Sequence, residues 1–174
     1  YDLKADLDDA LDNYEKEKLD FISCLPFTTL FIDGNHENHS RLNAMRVVNF
    51  MGGKAHKVYD SIYHLMRGQV YNICNKSIFT FGGASSIDKH LRIEGISWWK
   101  EEEFNYIEAN TAYENLNKVN WEVDYVALEG IQYQEKMGVT TFETLARLQG
   151  ILMETLFTLD IPYNSLKIRF VQSS

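Results

Sequence analysis

Directly after the apolar run Thr28-Thr29-Leu30-Phe31-Ile32 the chain reads Asp33-Gly34-Asn35-His36-Glu37. A strand that ends this way delivers carboxylate, amide and imidazole groups to the carboxyl end of a sheet, where open α/β folds carry their sites. The carboxamide of Asn35 offers a neutral oxygen ligand, and the imidazole of His36 can ligate a metal or donate a proton. Side by side, these groups suit metal-assisted phosphoester hydrolysis, in which a cation activates water and an acid protonates the leaving oxygen. Glu129 is a second candidate. It ends the apolar stretch Tyr125-Val126-Ala127-Leu128, and a carboxylate taken out of water needs a partner. A cation ligand and a satisfied polar group are equally good readings of it, with Arg147 as a candidate partner.

Most other polar residues have plainer readings. His39, His56, His64 and His90 show no ligand spacing and read as surface or satisfied core histidines. His39 is near enough to His36 to sit on a site rim, and His64 falls in a strand. Glu37 suits a helix start. Ser85 and Ser86 lack any Ser-His-Asp arrangement and read as loop hydrogen-bonding groups. Trp98-Trp99 is expected to pack in the core rather than stack on a base. Glu101-Glu102-Glu103 reads as a solvated helix start. Lys54 and Lys57 read as solvated. Cys24 and Cys74 have no metal spacing and lie in apolar neighbourhoods, so buried, reduced thiols are expected.

The elements that must position these groups follow from periodicity. Residues 3–25 carry a rough apolar stripe and predict a helix ended by Pro26. Residues 27–32 predict a short buried strand, and 40–51 a short helix closed by Gly52-Gly53. Residues 55–59, 62–65, 69–73 and 77–81 alternate apolar and polar side chains, with short polar breaks, as a meander would. Residues 82–86 form a glycine-rich loop that lets backbone approach a ligand or strand closely. A helix is expected over 98–120, a buried strand over 125–128, an amphipathic helix over 140–159 and a final strand over 165–171.

The 174 residues carry 45% hydrophobic and 24% charged side chains, an ordinary globular balance that points to one domain, or one and part of another. A net charge of -8 argues against a general electrostatic grip on nucleic-acid phosphate and suits a protein that gathers divalent cations. No signal peptide and no membrane-length apolar run are visible, so a cytoplasmic protein with no membrane partner is expected. The chain begins with Tyr1, and its natural start is expected to lie upstream.

Residues 25–125 resemble the calcineurin-like metallophosphoesterases, in particular their bacterial and phage branch. The resemblance is carried by Leu25-Pro26-Phe27 through Asp33-Gly34-Asn35-His36-Glu37-Asn38, then Gly53-Lys54-Ala55-His56-Lys57, His64-Leu65-Met66-Arg67-Gly68-Gln69-Val70, Phe81-Gly82-Gly83-Ala84-Ser85-Ser86-Ile87-Asp88 and Ser97-Trp98-Trp99-Lys100-Glu101-Glu102. It implies a β-sandwich flanked by helices and a site with two divalent metals, often manganese, iron or zinc. It would make Asn35 a metal ligand and His36 the acid or charge stabiliser, with Arg67 and Ser85 on the substrate side. The family's upstream Asp-x-His and Gly-Asp ligands have no counterpart before Asn35, and no histidine follows His90.

From about Asp124 the chain resembles RuvC-like Holliday-junction resolvases of the ribonuclease H-like superfamily. The residues are Asp124-Tyr125-Val126-Ala127-Leu128-Glu129-Gly130, then Ala146-Arg147-Leu148-Gln149-Gly150 and Ile161-Pro162-Tyr163. Glu129 would be a magnesium ligand there, and nucleic acid would be a partner only through this piece. The expected fold is therefore α/β: a partial metallophosphoesterase-type β-sandwich over 1–124, joined to a βαβ-like fragment over 125–174. The expected function is metal-dependent hydrolysis of a phosphomonoester or phosphodiester, weak or absent in this chain alone because ligands are missing. The alternatives are a fragment of a magnesium-dependent nuclease acting on branched DNA, and a non-catalytic remnant or interaction module.

Overall fold

The computed structural model describes residues 13–84, 86 and 88–129. The expected helix over 140–159 and strand over 165–171 lie outside the described residues, as does the first part of the helix expected over 3–25. Within them the fold is α/β, with two mixed sheets and few helices. The first sheet has the order β1 (Thr29–Phe31), β4 (Ile62–Leu65), β3 (Gly53–Tyr59), β2 (Val47–Phe50). The second has the order β5 (Gln69–Ile73), β6 (Lys76–Phe81), β7 (Tyr125–Leu128). β1 runs parallel to β4 and β7 parallel to β6; the other pairs are antiparallel. Three helices complete the framework: α1 (Asn13–Ser23), α2 (His39–Ala44) and α3 (Tyr106–Lys118). Among the described residues no helix is long and apolar enough to cross a membrane.

Three apolar clusters define the layers. Leu42, Val58, Tyr59 and Ile62 pack with Leu19, Ile22 and Phe31, so α1 and α2 cover the outer face of the first sheet. Ala55, Leu65 and Tyr71 pack with Leu30, Ile32, Phe50 and Ile73, which joins the two sheets. Phe79, Val123 and Val126 pack with Ala112 and Leu116 of α3 on the far side of the second sheet. The order is helices, sheet, sheet, helix, and each sheet alternates its side chains between two apolar layers. Tyr71 is fully buried at the inter-sheet layer, and a Cβ on Gly53 would lie 2.7 Å from its ring. The β3 backbone therefore passes close over Tyr71 at a residue with no side chain to clash.

The structure differs from the sequence expectation in several elements. Residues 47–50 are a strand, not the end of a helix over 40–51. α2 stops at Ala44, and Val47-Val48 are β-branched and stiff at χ1, which favours a strand. Met51 and Gly52 both have positive φ, 46° and 94°, as a two-residue hairpin turn of matching twist requires. The strands over 53–81 do not form one meander, because the chain changes sheets between Leu65 and Gln69. The helix expected over 98–120 is a 3-10 turn at Lys100–Glu102 followed by α3, whose start is set by the capping box of Asn105 and Glu108. Cys24 and Cys74 are exposed free thiols, not buried ones; Cys74 opens the β5–β6 turn with φ 53°, which turns it outward from both layers. β7 pairs with β6 over four positions, and Val126 is buried against α3.

Tyr71→Ala should remove the largest buried group between the sheets and cost about 3–5 kcal/mol. Urea unfolding with an unchanged m-value is the measurement that checks it.

Candidate functional site

Register brings the ends of the two parallel strands together. β1 stops at Phe31 opposite His64, and the chain runs on through Ile32 to Asp33. β7 stops at Leu128 opposite Phe81, so Glu129 and Gly82 leave the second sheet side by side. The two edges meet there: the Gly83 N–H donates to Asp33 O at 2.8 Å, and a Cβ on Gly82 would lie 2.3 Å from Asp33 Oδ1. On the other side of Asp33, a Cβ on Gly34 would lie 2.6 Å from Glu129 Oε1. At Gly82, where the Asp33 backbone oxygen is also only 2.6 Å away, glycine alone permits the approach; at Gly34 the neighbour is the movable end of the Glu129 side chain. Asn35 and Glu129, proposed from two separate stretches of sequence, thus stand at one place in the fold.

The turn itself is braced. Glu37 Oε2 accepts the Gly34 N–H at 2.8 Å. His39 is buried with Nε2 3.0 Å from Gly34 O, so it braces the turn from beneath, and it lines a small cavity with Asp33 and His64. Asn38 caps α2 by accepting the Arg41 N–H at 3.0 Å. Asn35 is half-buried, and its Nδ2 lies 3.3 Å from Ser86 Oγ. His36 is exposed at the edge of the turn. Ser85 lies outside the described residues.

Beneath the turn lies a buried polar network that the sequence did not announce. Asp33 is 2% exposed and takes three donors: His64 Nε2 at 2.9 Å, Arg67 Nε at 2.9 Å and Arg67 Nη2. The remaining Arg67 donors go to Glu108 Oε2 at 3.1 Å, Glu101 O at 2.9 Å and Glu102 O at 3.2 Å. Arg67 was expected on the substrate side. Its guanidinium is instead spent inside the fold, where it joins β1, the 3-10 turn and the cap of α3. His64 Nδ1 lies 3.0 Å from His56 Nδ1. An ionised Asp33 can only accept, so His64 must donate Nε2–H to it whichever ring carries the proton between the two histidines. His56, His64, Arg67 and Glu108 line a cavity of about 40 Å³, room for an ordered water. The Glu101-Glu102-Glu103 run is not uniformly solvated: Glu102 is 0% exposed. Its Oε1 accepts from Ser86 N at 2.7 Å and Trp98 Nε1 at 2.6 Å, and its Oε2 bonds Ser86 Oγ at 3.0 Å. No run of three glutamates reveals which one turns inward; the Trp98 four residues earlier was the available signal.

Electrostatics divides the site into two. Burial alone would raise the Asp33 carboxyl, but the hydrogen bonds and positive charge of His64 and Arg67 outweigh it and hold it at about 2. At the opening the balance reverses. The carboxyl end of Glu129 is tucked against Gly34 although the residue as a whole is exposed, and burial, then the negative charges of Glu37 and Asp33, raise it to about 7. Since that value lies above the ordinary one, Glu129 favours the folded state when protonated and opposes it as the pH rises through 7. A cation beside it would relieve that opposition. The donor set is nonetheless short. Among the described residues no three His, Cys, Asp or Glu side chains converge as metal ligands do, so a two-metal centre does not fit these residues alone. Asn35 and Glu129 together could hold one weakly bound cation at most.

No family model matches this chain, and comparison with the curated proteins and with the solved structures gives no match either.

Two acid-induced losses of stability are expected. His56 is lowered to about 4 by burial and by the charge of His64, so between pH 6.5 and 4 the unfolded chain takes up this proton before the folded one. The His56 contribution to stability should fall by about 3 kcal/mol over that range, opposed by a gain from Glu129 as the pH drops from about 7 to 4.5. Asp33 adds a further loss of about 2 kcal/mol as the pH drops from 3.8 toward 2, for the same reason of sign. Urea midpoints at successive pH values check both, the His56 contribution being read as the difference between the wild type and His56→Asn, in which acidification from pH 6.5 to 4 should be less destabilising. Asp33→Asn should cost about 3–5 kcal/mol at pH 7, because it leaves Arg67 buried without its counter-charge.

Proposed function

We propose that this chain carries one wall of a metal-dependent phosphoesterase site, of the calcineurin-like kind, on a partial metallophosphoesterase-type sandwich. The observation that supports this reading is the close approach of the Glu129 carboxyl to Gly34, the residue before Asn35 and His36, where the ends of β1 and β7 meet. The roles follow from the groups themselves. Asn35 presents a carboxamide oxygen as a neutral ligand. His36, exposed beside it, can give a proton to the leaving oxygen of a phosphomonoester or phosphodiester. Glu129 supplies negative charge that a divalent cation such as manganese would neutralise. Among the described residues the ligand set is short, and this reading is of a weak catalyst or none.

Glu129 also supports a second reading, as a magnesium ligand of a RuvC-like nuclease fragment, because it is a strand-end carboxylate in surroundings that favour a cation. Nucleic acid would then be the partner of this piece alone.

The test is hydrolysis of an aryl phosphate with and without manganese, run beside cleavage of branched DNA with magnesium. The phosphoesterase reading expects weak, manganese-dependent turnover of the aryl phosphate, reduced about 100-fold or more in His36→Ala, and a rise in Tm on adding manganese. Cleavage of branched DNA abolished by Glu129→Ala, with no phosphatase activity, would transfer the assignment to the nuclease. Neither activity and no metal-dependent rise in Tm would leave a non-catalytic remnant.

A further inference from the structure

Asn35 is joined to the interior by a proton-ordered chain. Trp98 Nε1–H and the Ser86 N–H are obligate donors, and both point at Glu102 Oε1, 2.6 and 2.7 Å away. The Ser86 hydroxyl then has the second carboxylate oxygen, Oε2, within 3.0 Å. A carboxylate only accepts, so Ser86 must spend its single proton there. Its oxygen is left with lone pairs, and the atom of Asn35 that faces it at 3.3 Å must therefore be the NH2 group. The carboxamide has no freedom to flip, because a turn of 180° would set its oxygen against an oxygen that has no proton to give. Ser86 is 2% and Glu102 0% exposed, so water does not compete for these bonds. Among the described residues Asn35 Oδ1 accepts no hydrogen bond of its own.

We propose that Glu102, acting through Ser86, is a positioning residue for Asn35: it fixes which end of the carboxamide faces the protein and so leaves Oδ1 as the atom offered to a ligand, of which a hard divalent cation is the class that suits an amide oxygen beside Glu129. The ligand in this inference rests on the phosphoesterase reading; the orientation does not. Arg67 extends the same support. It binds the Glu102 carbonyl at 3.2 Å and the Asp33 carboxylate, so Glu102 and the turn that carries Asn35 are tied to one guanidinium. Groups that orient a ligand in this way commonly matter about 10- to 100-fold for metal affinity without touching the metal.

The experiment uses the full chain labelled with 15N, compared with Ser86→Ala, Ser86→Thr and Glu102→Gln. The side-chain NH2 signals of Asn35 are assigned by their loss in Asn35→Asp, and manganese affinity is measured by titration calorimetry. In the wild type the NH2 pair should be well separated and slow to exchange with solvent. Ser86→Ala and Glu102→Gln should bring the pair together and speed its exchange about tenfold, and Ser86→Thr should restore it. Manganese affinity should fall about tenfold in Ser86→Ala and return in Ser86→Thr. Should Glu102→Gln fail to fold, Glu102→Asp, which keeps the charge but draws it back from the Ser86 hydroxyl, takes its place and should give the same change in the Asn35 signals. Asn35 signals that are unchanged in Ser86→Ala would overturn the proposal. A Ser86-dependent NH2 signal in a wild type that binds no manganese would support the positioning and overturn the phosphoesterase reading.

Discussion

The buried pairing of Asp33 with Arg67 is the constraint on which the rest of this structure depends. Both side chains are almost wholly removed from water, and two charges in that position are tolerable only if nearly every lone pair and donor is used. They are. Asp33 closes the end of β1 and takes a third donor from His64 of β4. Arg67, just past β4, reaches the carbonyls of the 3-10 turn and the capping glutamate of α3. One ion pair therefore joins the first sheet to elements packed on the second. The glycines that flank it, Gly82 and Gly83, exist at the one edge where backbone must pass within van der Waals reach of these groups.

The same arrangement shapes the opening above it. With Asp33 held ionised by its partners, a negative charge lies close beneath the turn. Glu37 adds another where it braces the Gly34 N–H. Glu129 arrives at the end of β7 with its carboxyl partly buried and in a region already negative, and burial first, then those charges, raise its affinity for a proton. The interior thus satisfies its own charges, while the surface layer is left with excess carboxylate and an amide oxygen. That contrast separates a satisfied polar core from a surface layer of unpaired negative charge. The Ser86–Glu102 pair links the two layers, because it draws on the interior to orient a side chain at the surface.

The sequence was legible where the signal was local. Alternation read β3 to β6 to within a residue or two, because one face of each strand must meet an apolar layer. β7 was read to the residue. Val47–Phe50 was missed because it follows a short helix and ends at glycines, which also close helices. Its strand character comes from pairing with β3 through the Met51-Gly52 turn. Arg67 looked like a cation for a phosphate, and Glu102 like one of three solvated acids. Each was misplaced for the same reason: a charge carries no mark of its burial until its partner is known, and those partners lie far away in sequence. Cys24 and Cys74 erred in the opposite direction, since apolar neighbours in sequence need not be neighbours in space.

By itself the sequence determined that a short strand, half-buried in the structure, runs on to an amide and an imidazole, that a glutamate closes a later strand, and that alternating segments between them form hairpins. These follow from side-chain type, the period of two and turn chemistry, all of which act over a few residues. Only the tertiary structure decided that Glu129 meets Gly34, that Arg67 faces inward, and that Asn35 answers to Ser86. Those contacts arise where two sheets pack and two parallel strands end at the same edge. Register and layer packing are properties of the whole chain, and no local pattern encodes which distant residues they will bring face to face.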